Sequence, residues 1–401
     1  MTDNQIFEPA VLAGIKLKNR IIRSATHEGL ADGNGIPTEA LKIKYLQLAK
    51  GEVGAIITGY AGIRQNGKSP NYQMLMMDTE DYIPFYRDIV DAVHEHGTPI
   101  IQQLAHCGRQ TRSKVTGEKP VAPSAIRDKM FLEEVPKELS DHEIRDIINN
   151  FIDAIDRSKK AGFDGVQLHI AHGYLLAQFL SPYSNRRKDQ WGGSMENRYR
   201  IIDEIFQGAR KRVGSFPILV KMNAYDGRKN GMRIDEAVHI AGLLEKSGCA
   251  AIEVSCGTIE DGFYASRGEK APVDAVLEYS YLFRELNPVI KFMARPLVRF
   301  MLRSDPKPIY NYNVAAAQQI KERVSIPVIV VGGIKSLEDI ADIIGTQKTD
   351  FVSMCRPFII EPNLVKKFKE GTRKESRCIH CNYCSIAQEA QSLRCYYGKI
   401  K

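Results

Sequence analysis

The sequence has no apolar stretch approaching the ~18 residues of a membrane-crossing helix. Its longest such run, from Ile326 to Ile334, is broken by Pro327 and by Gly332 and Gly333. It has no acidic excess either: 48 Asp and Glu face 56 Lys and Arg, and the resulting +8 is scattered along the chain. That distribution argues against a nucleic-acid-binding stripe and fits a solvated surface with some attraction for anionic small molecules. The opening residues, MTDNQIFEPA, lack the basic and apolar segments of a leader, so a cytoplasmic protein without membrane attachment is expected. At 43% hydrophobic residues the chain is too apolar for disorder. Eight cysteines are present, and in a reducing compartment they are not expected to form a disulfide framework.

Eight apolar runs of strand length recur along the chain: Arg20–Ser24, Val53–Thr58, Pro99–Leu104, Gly165–His169, Ile218–Met222, Ala250–Ser255, Pro327–Val331 and Phe351–Met354. Between most of them lie segments with helical spacing, including Ile83–His96, Asp141–Ala161, Asn197–Val213, Ile234–Ser247 and Leu337–Gly345. Crossovers of that length force parallel pairing. Eight such units, with no G-x-G-x-x-G after the first, favour an α/β fold of the closed (β/α)8 TIM-barrel type over an open dinucleotide-binding sheet. FEPAVLAGIKLKN reads as an N-terminal hairpin closing the barrel bottom. The barrel is assigned residues 1–362 and a short Cys-rich tail residues 363–401. Three long connections, Ala105–Ser140, Ile170–Glu196 and Gly257–Ile326, fall on the carboxyl face, where barrel enzymes build their sites. Within the last, VIKFMARPLVRFMLR reads as an amphipathic helix, expected to pack into the core or a lid rather than to face a membrane or partner.

The richest stretch is HIAHGYLLAQFLSPYSNRRKDQWGGSMENRYR. His169 and His172 stand three apart, a spacing that suits zinc on a helix, but here they sit at a strand end without an evident third ligand. Two structural histidines are a second possibility. The stronger reading is a pair of hydrogen-bond donors converging on one oxygen, with Tyr174 placed to deliver a proton, a group suited to charge developing on a carbonyl.

These residues resemble the old yellow enzyme family of FMN-dependent oxidoreductases. SPYSNRRKDQWGGSMENRYR and HIAHGY carry the resemblance, with LKNRIIRSATHEGL, TGYAG, QLAHCGR, VGGI and MCRPFI matching at other strand ends, so that it runs from about Phe7 to Pro362. The branch containing 2,4-dienoyl-CoA reductase and trimethylamine dehydrogenase is the most similar, because it too has cysteines directly after the barrel. The resemblance implies that Ala25, Thr26 and His27 line the flavin edge near N5, that Gly59 lets the ring approach the backbone, and that Gln103 bonds its pyrimidine side. It further implies that Lys221 sets a cation near N1, and that Gly332, Gly333 and Arg356 hold the FMN phosphate. Read without the resemblance, Lys221 could instead form a Schiff base, as in aldolase-type lyases.

The tail presents Cys378, Cys381, Cys384 and Cys395 in the spacing C-x2-C-x2-C-x10-C. This suits a [4Fe–4S] cluster, with zinc or simple thiols as alternatives. The chain ends six residues after Cys395. The nucleotide-binding domains that follow in the resembled proteins are therefore expected to be missing, and any cluster would exchange electrons with a separate electron-transfer protein. The scattered Cys107, Cys249, Cys256 and Cys355 read as packing residues. The expected activity is ping-pong: flavin reduced by NAD(P)H, then hydride transfer from N5 to the C=C bond of a small enone or enoyl substrate, with His169 and His172 on the carbonyl and Tyr174 as proton donor. An amine dehydrogenase or demethylase, or a flavo-iron–sulfur electron carrier without small-molecule turnover, are the alternatives. A homo-oligomer is expected.

Overall fold

The structure, a computed structural model, describes residues 4–129, 134–261, 265–268, 273–302 and 309–399. Parts of two of the long connections, and Arg303 of the amphipathic stretch, lie outside the described residues. Eight parallel strands form a closed barrel: β1 (Ile21–Arg23), β2 (Ala55–Gly62), β3 (Ile100–Ala105), β4 (Gly165–Ile170), β5 (Ile218–Asn223), β6 (Ile252–Ser255), β7 (Val328–Val331) and β8 (Phe351–Met354). Each pairs with the next, and β8 and β2 both pair with β1, which closes the ring. All eight coincide with the apolar runs read from the sequence, since strands buried on both faces carry near-continuous Val, Ile and Leu.

The helices are α1 (Glu39–Lys50), α2 (Ile83–His94), α3 (Asp141–Lys160), α4 (Met195–Val213), α5 (Ile234–Lys246), α6 (Val314–Lys321) and α7 (Leu337–Gly345), of which α2 to α5 and α7 follow the segments named from the sequence. Their starts are chemically marked. Ser140 and Glu143 form a reciprocal capping box at α3, while Ser194 and Ser336 cap α4 and α7 by accepting backbone N–H groups. Their apolar stripes pack on the outside of the barrel, burying residues such as Phe151, Ile155, Ile202 and Ile340.

Inward-facing side chains change character along the barrel axis. At the bottom Ile22, Ala55, Ile57, Ile101, Leu219, Ala251, Ile329 and Phe351 form an apolar plug. It is closed from below by Leu12, Ile15 and Leu17 of the antiparallel N-terminal hairpin Ala10–Leu12 and Ile15–Leu17. Burying each of the large side chains is worth about 1.5–3 kcal/mol. Two residues further up, the same strands present Gln103, Gln167, Lys221, Glu253 and Ser353, all buried. The period-2 alternation that closes the bottom thus delivers polar groups to the top. On β2 the pairing register with β3 shifts between Ile57 and Tyr60. A bulge of this kind re-aims side chains, and here it sends Tyr60 to the mouth.

The amphipathic segment does form a helix, Pro288–Met301, but its apolar face does not join the core as expected. Phe292 and Met293 are about three-quarters exposed (74% and 73%), and among the described residues of the helix only Val298 is buried. Val298 and Leu302 reach the mouth cavity, so one edge of the helix serves as lid packing while the broad face points outward. Among the described residues no helix is long and apolar enough to cross a membrane.

Candidate active site

A cavity of about 380 Å³ opens at the carboxyl mouth of the barrel. Its walls bring together Ala25, Thr26 and His27 after β1, Gln103 on β3, His169, His172 and Tyr174 at the end of β4, Lys221 on β5, Gly332 and Gly333 after β7, and Arg356 after β8. Of the residues expected there, Gly59 is the exception. Its N–H donates to Glu28 Oε1 at 3.1 Å, and a Cβ at this position would lie 2.0 Å from Glu28 Oε2. A buried carboxylate therefore already requires the small residue. Glu28 is in turn paired with Arg23 at 2.5 Å and accepts from the Tyr45 hydroxyl at 2.8 Å, all three buried.

Parallel register sets His169 beside Lys221 and Lys221 beside Glu253, one row across β4, β5 and β6. His169 accepts the Ala171 N–H at Nδ1 (3.3 Å), which leaves Nε2 to carry the ring proton. His172 Nε2 lies 2.7 Å from Ser255 Oγ, and the two rings stand 5.0 Å apart at 77°. His172 has a positive φ of 57°, and Asn223 Oδ1 accepts its backbone N–H at 3.1 Å. Burial, reinforced by neighbouring positive charge, holds His169 well below the ordinary histidine range and pushes His172 down to about 3. Both shifts favour the neutral imidazole, and no third ligand completes a metal set around the pair among the described residues.

Tyr174 packs edge-on against His169 at 4.7 Å and is tilted at 55° against Tyr60 at 5.4 Å. Burial raises Tyr174 well above the usual phenol value and Tyr60 to about 12, so both hold their protons. Tyr60 also stacks on His27 at 5.1 Å and 22°. His27 is kept neutral by burial, its Nε2 being 2.8 Å from the Tyr72 carbonyl.

Beneath these groups lies a saturated polar floor. Lys221 Nζ sits 3.1 Å from Glu253 Oε2 and donates to Ser24 Oγ at 2.7 Å. Glu253 Oε1 accepts from the Ser24 and Ser353 hydroxyls at 2.5 and 2.6 Å, and Oε2 accepts from Gln167 Nε2 at 2.8 Å. Gln103 Nε2 donates to Gln167 Oε1 at 2.7 Å. The lysine that the sequence placed at this position is paired with a carboxylate, which balances its charge. The ion-paired ammonium is also unlike an imine-forming lysine, which needs a free amine.

At the opposite end, Gly332 and Gly333 have φ of 143° and 77°. A Cβ on Gly333 would meet the Ile309 carbonyl at 2.4 Å, so the backbone of Ile309–Asn311 packed against it leaves room only for glycine. Arg356 lines the cavity beside them while its Nη1 donates to the Arg267 carbonyl at 3.0 Å and Asn382 Oδ1 at 2.5 Å.

Cys378, Cys381, Cys384 and Cys395 line one smaller cavity of about 90 Å³. Among the described residues no three His, Cys, Asp or Glu side chains surround a point as a single ion would require. Cys384 and Arg356 border both cavities. Burial raises the Cys378 and Cys381 thiols and pushes Cys384 to about 12. Cys107, Cys249 and Cys256 are buried packing residues, whereas half-buried Cys355 lines the mouth cavity.

Sequence reasoning missed Glu253, Gln167, Ser255, Tyr60 and Tyr281, all in or under the cavity wall. A signal for Glu253 existed: a single charge inside the apolar run AAIEVSC, in phase with inward positions.

The profile of the family described as NADH:flavin oxidoreductase / NADH oxidase matches residues 5–271 and 298–375. The chain is 35% identical over 394 residues to an NADH oxidase of Thermoanaerobacter brockii, covering 97% of this chain and 54% of that protein. It is 29% identical over 390 residues to a 4,4'-dithiodibutanoate disulfide reductase of Rhodococcus erythropolis, covering 94% and 92%. The structure is similar to histamine dehydrogenase from Rhizobium sp. 4-9 with a TM-score of 0.80 and 25% identity, covering 98% of this chain and 52% of that one. The chain spans about half the length of several curated relatives, such as the NADH oxidase at 54% and a Desulforamulus reducens metal reductase at 50%.

Proposed function

The chain belongs to the NADH:flavin oxidoreductase / NADH oxidase family, and from that premise we propose that it is an FMN-dependent enzyme that uses NAD(P)H to reduce the C=C bond of an α,β-unsaturated carbonyl compound. The observation that carries this reading is the trio on the cavity wall: two neutral imidazoles whose rings lie 5.0 Å apart, with a protonated phenol 4.7 Å from one of them. Neutral donors suit an oxygen on which negative charge develops, and they need not lose a proton to act.

FMN is held in this reading by Gln103 and Lys221 at its pyrimidine side and by Gly332, Gly333 and Arg356 at its phosphate, with Ala25, Thr26 and His27 along its edge. The bound cofactor supplies the hydride chemistry, accepting from NAD(P)H and delivering to the substrate carbon. His169 Nε2 and His172 hold the substrate carbonyl oxygen. For His172 to donate, its Nε2 accepts the Ser255 proton and Nδ1 carries the ring hydrogen. Tyr174 adds the proton at the α-carbon and is steadied by Tyr60. The apolar upper wall, with Tyr281, Val298 and Leu302, keeps water from that carbon.

The tail, 363–401, serves as the second functional unit beside the 1–362 barrel. Cys378, Cys381, Cys384 and Cys395 would hold a [4Fe–4S] cluster. Their spacing, and their placement around one shared cavity, support this reading. Cys384 and Arg356 border both cavities and would join the cluster site to the flavin site, with a separate carrier as the redox partner.

The test is anaerobic stopped-flow spectroscopy. Dithionite-reduced protein should be reoxidised rapidly by 2-cyclohexen-1-one, and oxidised protein should be reduced by NADH or NADPH but not by sarcosine or histamine. Fast reduction by an amine with no reoxidation by the enone would replace this reading with amine dehydrogenation. Redox changes with neither partner would leave an electron carrier.

A further inference from the structure

The Lys221–Glu253 pair is buried under the mouth, and its hydrogen bonds have a direction. Glu253 is ionised, held below the usual carboxylate range against its burial by Lys221, Ser24, Ser353 and Gln167. A carboxylate only accepts, so Gln167 must present its NH₂ to Oε2, as it does at 2.8 Å. Gln167 is then left with its carbonyl facing Gln103, which must answer with its own NH₂ at 2.7 Å. One charge therefore decides which way two amides point. The Gln103 carbonyl oxygen and one remaining N–H are what is left for the cavity that Gln103 lines.

We propose that Glu253 is a positioning residue that sets the polarity of the flavin's pyrimidine pocket, both by balancing the Lys221 charge and by orienting Gln103, through Gln167, as a hydrogen-bond acceptor toward the cofactor. The flavin pyrimidine ring offers one N–H donor, at N3, between two carbonyl acceptors, and an oriented carbonyl at Gln103 matches that donor. Lys221 supplies the cation beside the ring, but a compensated one. Reduced flavin deprotonates at N1, and a bare ammonium would favour that anion more strongly than an ion-paired ammonium does. The pocket is therefore built for tight binding at a restrained potential. None of these residues is in a loop: all sit on β3 to β6 and β8 or directly after β1, where the barrel holds their geometry.

The inference rests on FMN occupying the mouth cavity, and the test separates the two. Flavin content and titration with FMN report occupancy. The two-electron midpoint potential of the bound flavin, measured by spectroelectrochemistry, reports Glu253. Glu253→Gln should shift the equilibrium toward reduced flavin by at least tenfold, about 30 mV positive for a two-electron couple. Lys221→Met should shift it negative, and the double variant should return toward wild type. With [¹⁵N]FMN, the N3 resonance should move upfield in Glu253→Gln as the Gln103 acceptor is lost. Should Glu253→Gln not fold, Gln167→Leu interrupts the amide relay while leaving the ion pair, and should move N3 with little change in potential. A potential unaltered or shifted negative in Glu253→Gln, or an N3 resonance unmoved in Gln167→Leu, overturns the proposal. A protein that binds no FMN overturns the occupancy on which it stands.

Discussion

Replacing His172 probes the oxyanion reading most directly, and the structure dictates which replacements to compare. Its backbone sits at φ 57°, a region that costs most side chains about 1 kcal/mol but that asparagine tolerates. His172→Ala loses the ring and incurs the strain, whereas His172→Asn keeps an N–H donor on a residue suited to the turn. Loss of one oxyanion donor lowers a rate by about 10²–10³, or about 3–4 kcal/mol. In single-turnover mixing of reduced protein with 2-cyclohexen-1-one, His172→Ala should fall by that amount and His172→Asn by about tenfold or less, consistent with a retained but longer hydrogen bond. Reduction of the flavin by NADH, which makes no enolate, should change by about fivefold or less in either variant, on the order of the strain alone. The wild-type enone rate should also be flat from about pH 5 to 8, because burial holds the His172 pKa near 3 and His169 below its ordinary range. An imidazolium donor would instead lose rate as pH rises through the ordinary histidine value. A rate that falls with an apparent pKa near 6.5, or equal losses in both half-reactions, would refute the neutral-donor assignment.

Gly59→Ala should lower the urea midpoint by an amount equal to about 1–3 kcal/mol of overpacking, because the new Cβ lies 2.0 Å from Glu28 Oε2 and 2.8 Å from the Thr26 carbonyl. His106 accepts the Gly108 N–H at Nδ1 and meets Asn66 Oδ1 at 3.0 Å, and burial depresses its pKa to about 3. Above about pH 6.5 it is neutral in both folded and unfolded chains and adds no pH dependence. Below that, only the unfolded chain takes up the proton, so stability should drop by about 1 kcal/mol per pH unit between about pH 6 and 4. His106→Gln should reduce that slope in urea titrations run across the range. Gly333→Ala, whose Cβ would meet the Ile309 carbonyl at 2.4 Å, should weaken FMN binding at least tenfold in fluorescence titration while leaving the far-UV circular dichroism intact. Cys384→Ala should abolish iron and sulfide in anaerobically purified protein and leave its flavin bound; unchanged iron content would exclude this cysteine as a ligand.

The barrel was legible because its strands are buried on both faces and so appear as uninterrupted apolar runs, three of the intervening helices also being marked by a serine cap: Ser140, Ser194 and Ser336. The histidine pair was legible because both members and Tyr174 lie within six residues of chain. Other features were hidden by distance or by phase. Glu253 is 32 positions from Lys221, and only the β5–β6 register makes them neighbours. Tyr60 enters the mouth because a register shift turns β2, which no local pattern announces. Gly59 was read from its position at a strand end, which gave no sign of Glu28, a neighbour that arrives from a separate segment. The helix Pro288–Met301 had a clear apolar stripe, yet periodicity states only that one face is apolar, not which way that face turns.

Local chemistry therefore determined the strands, the helices, their parallel order and the identity of the donors at the end of β4, because propensity, capping and burial act over a few neighbouring residues. Tertiary structure alone decided the charge state and aim of those donors. Desolvation, ion pairing and amide orientation depend on what other strands bring within 3 Å, and that is settled only when the eight strands close and the Lys221–Glu253 pair is sealed beneath the mouth.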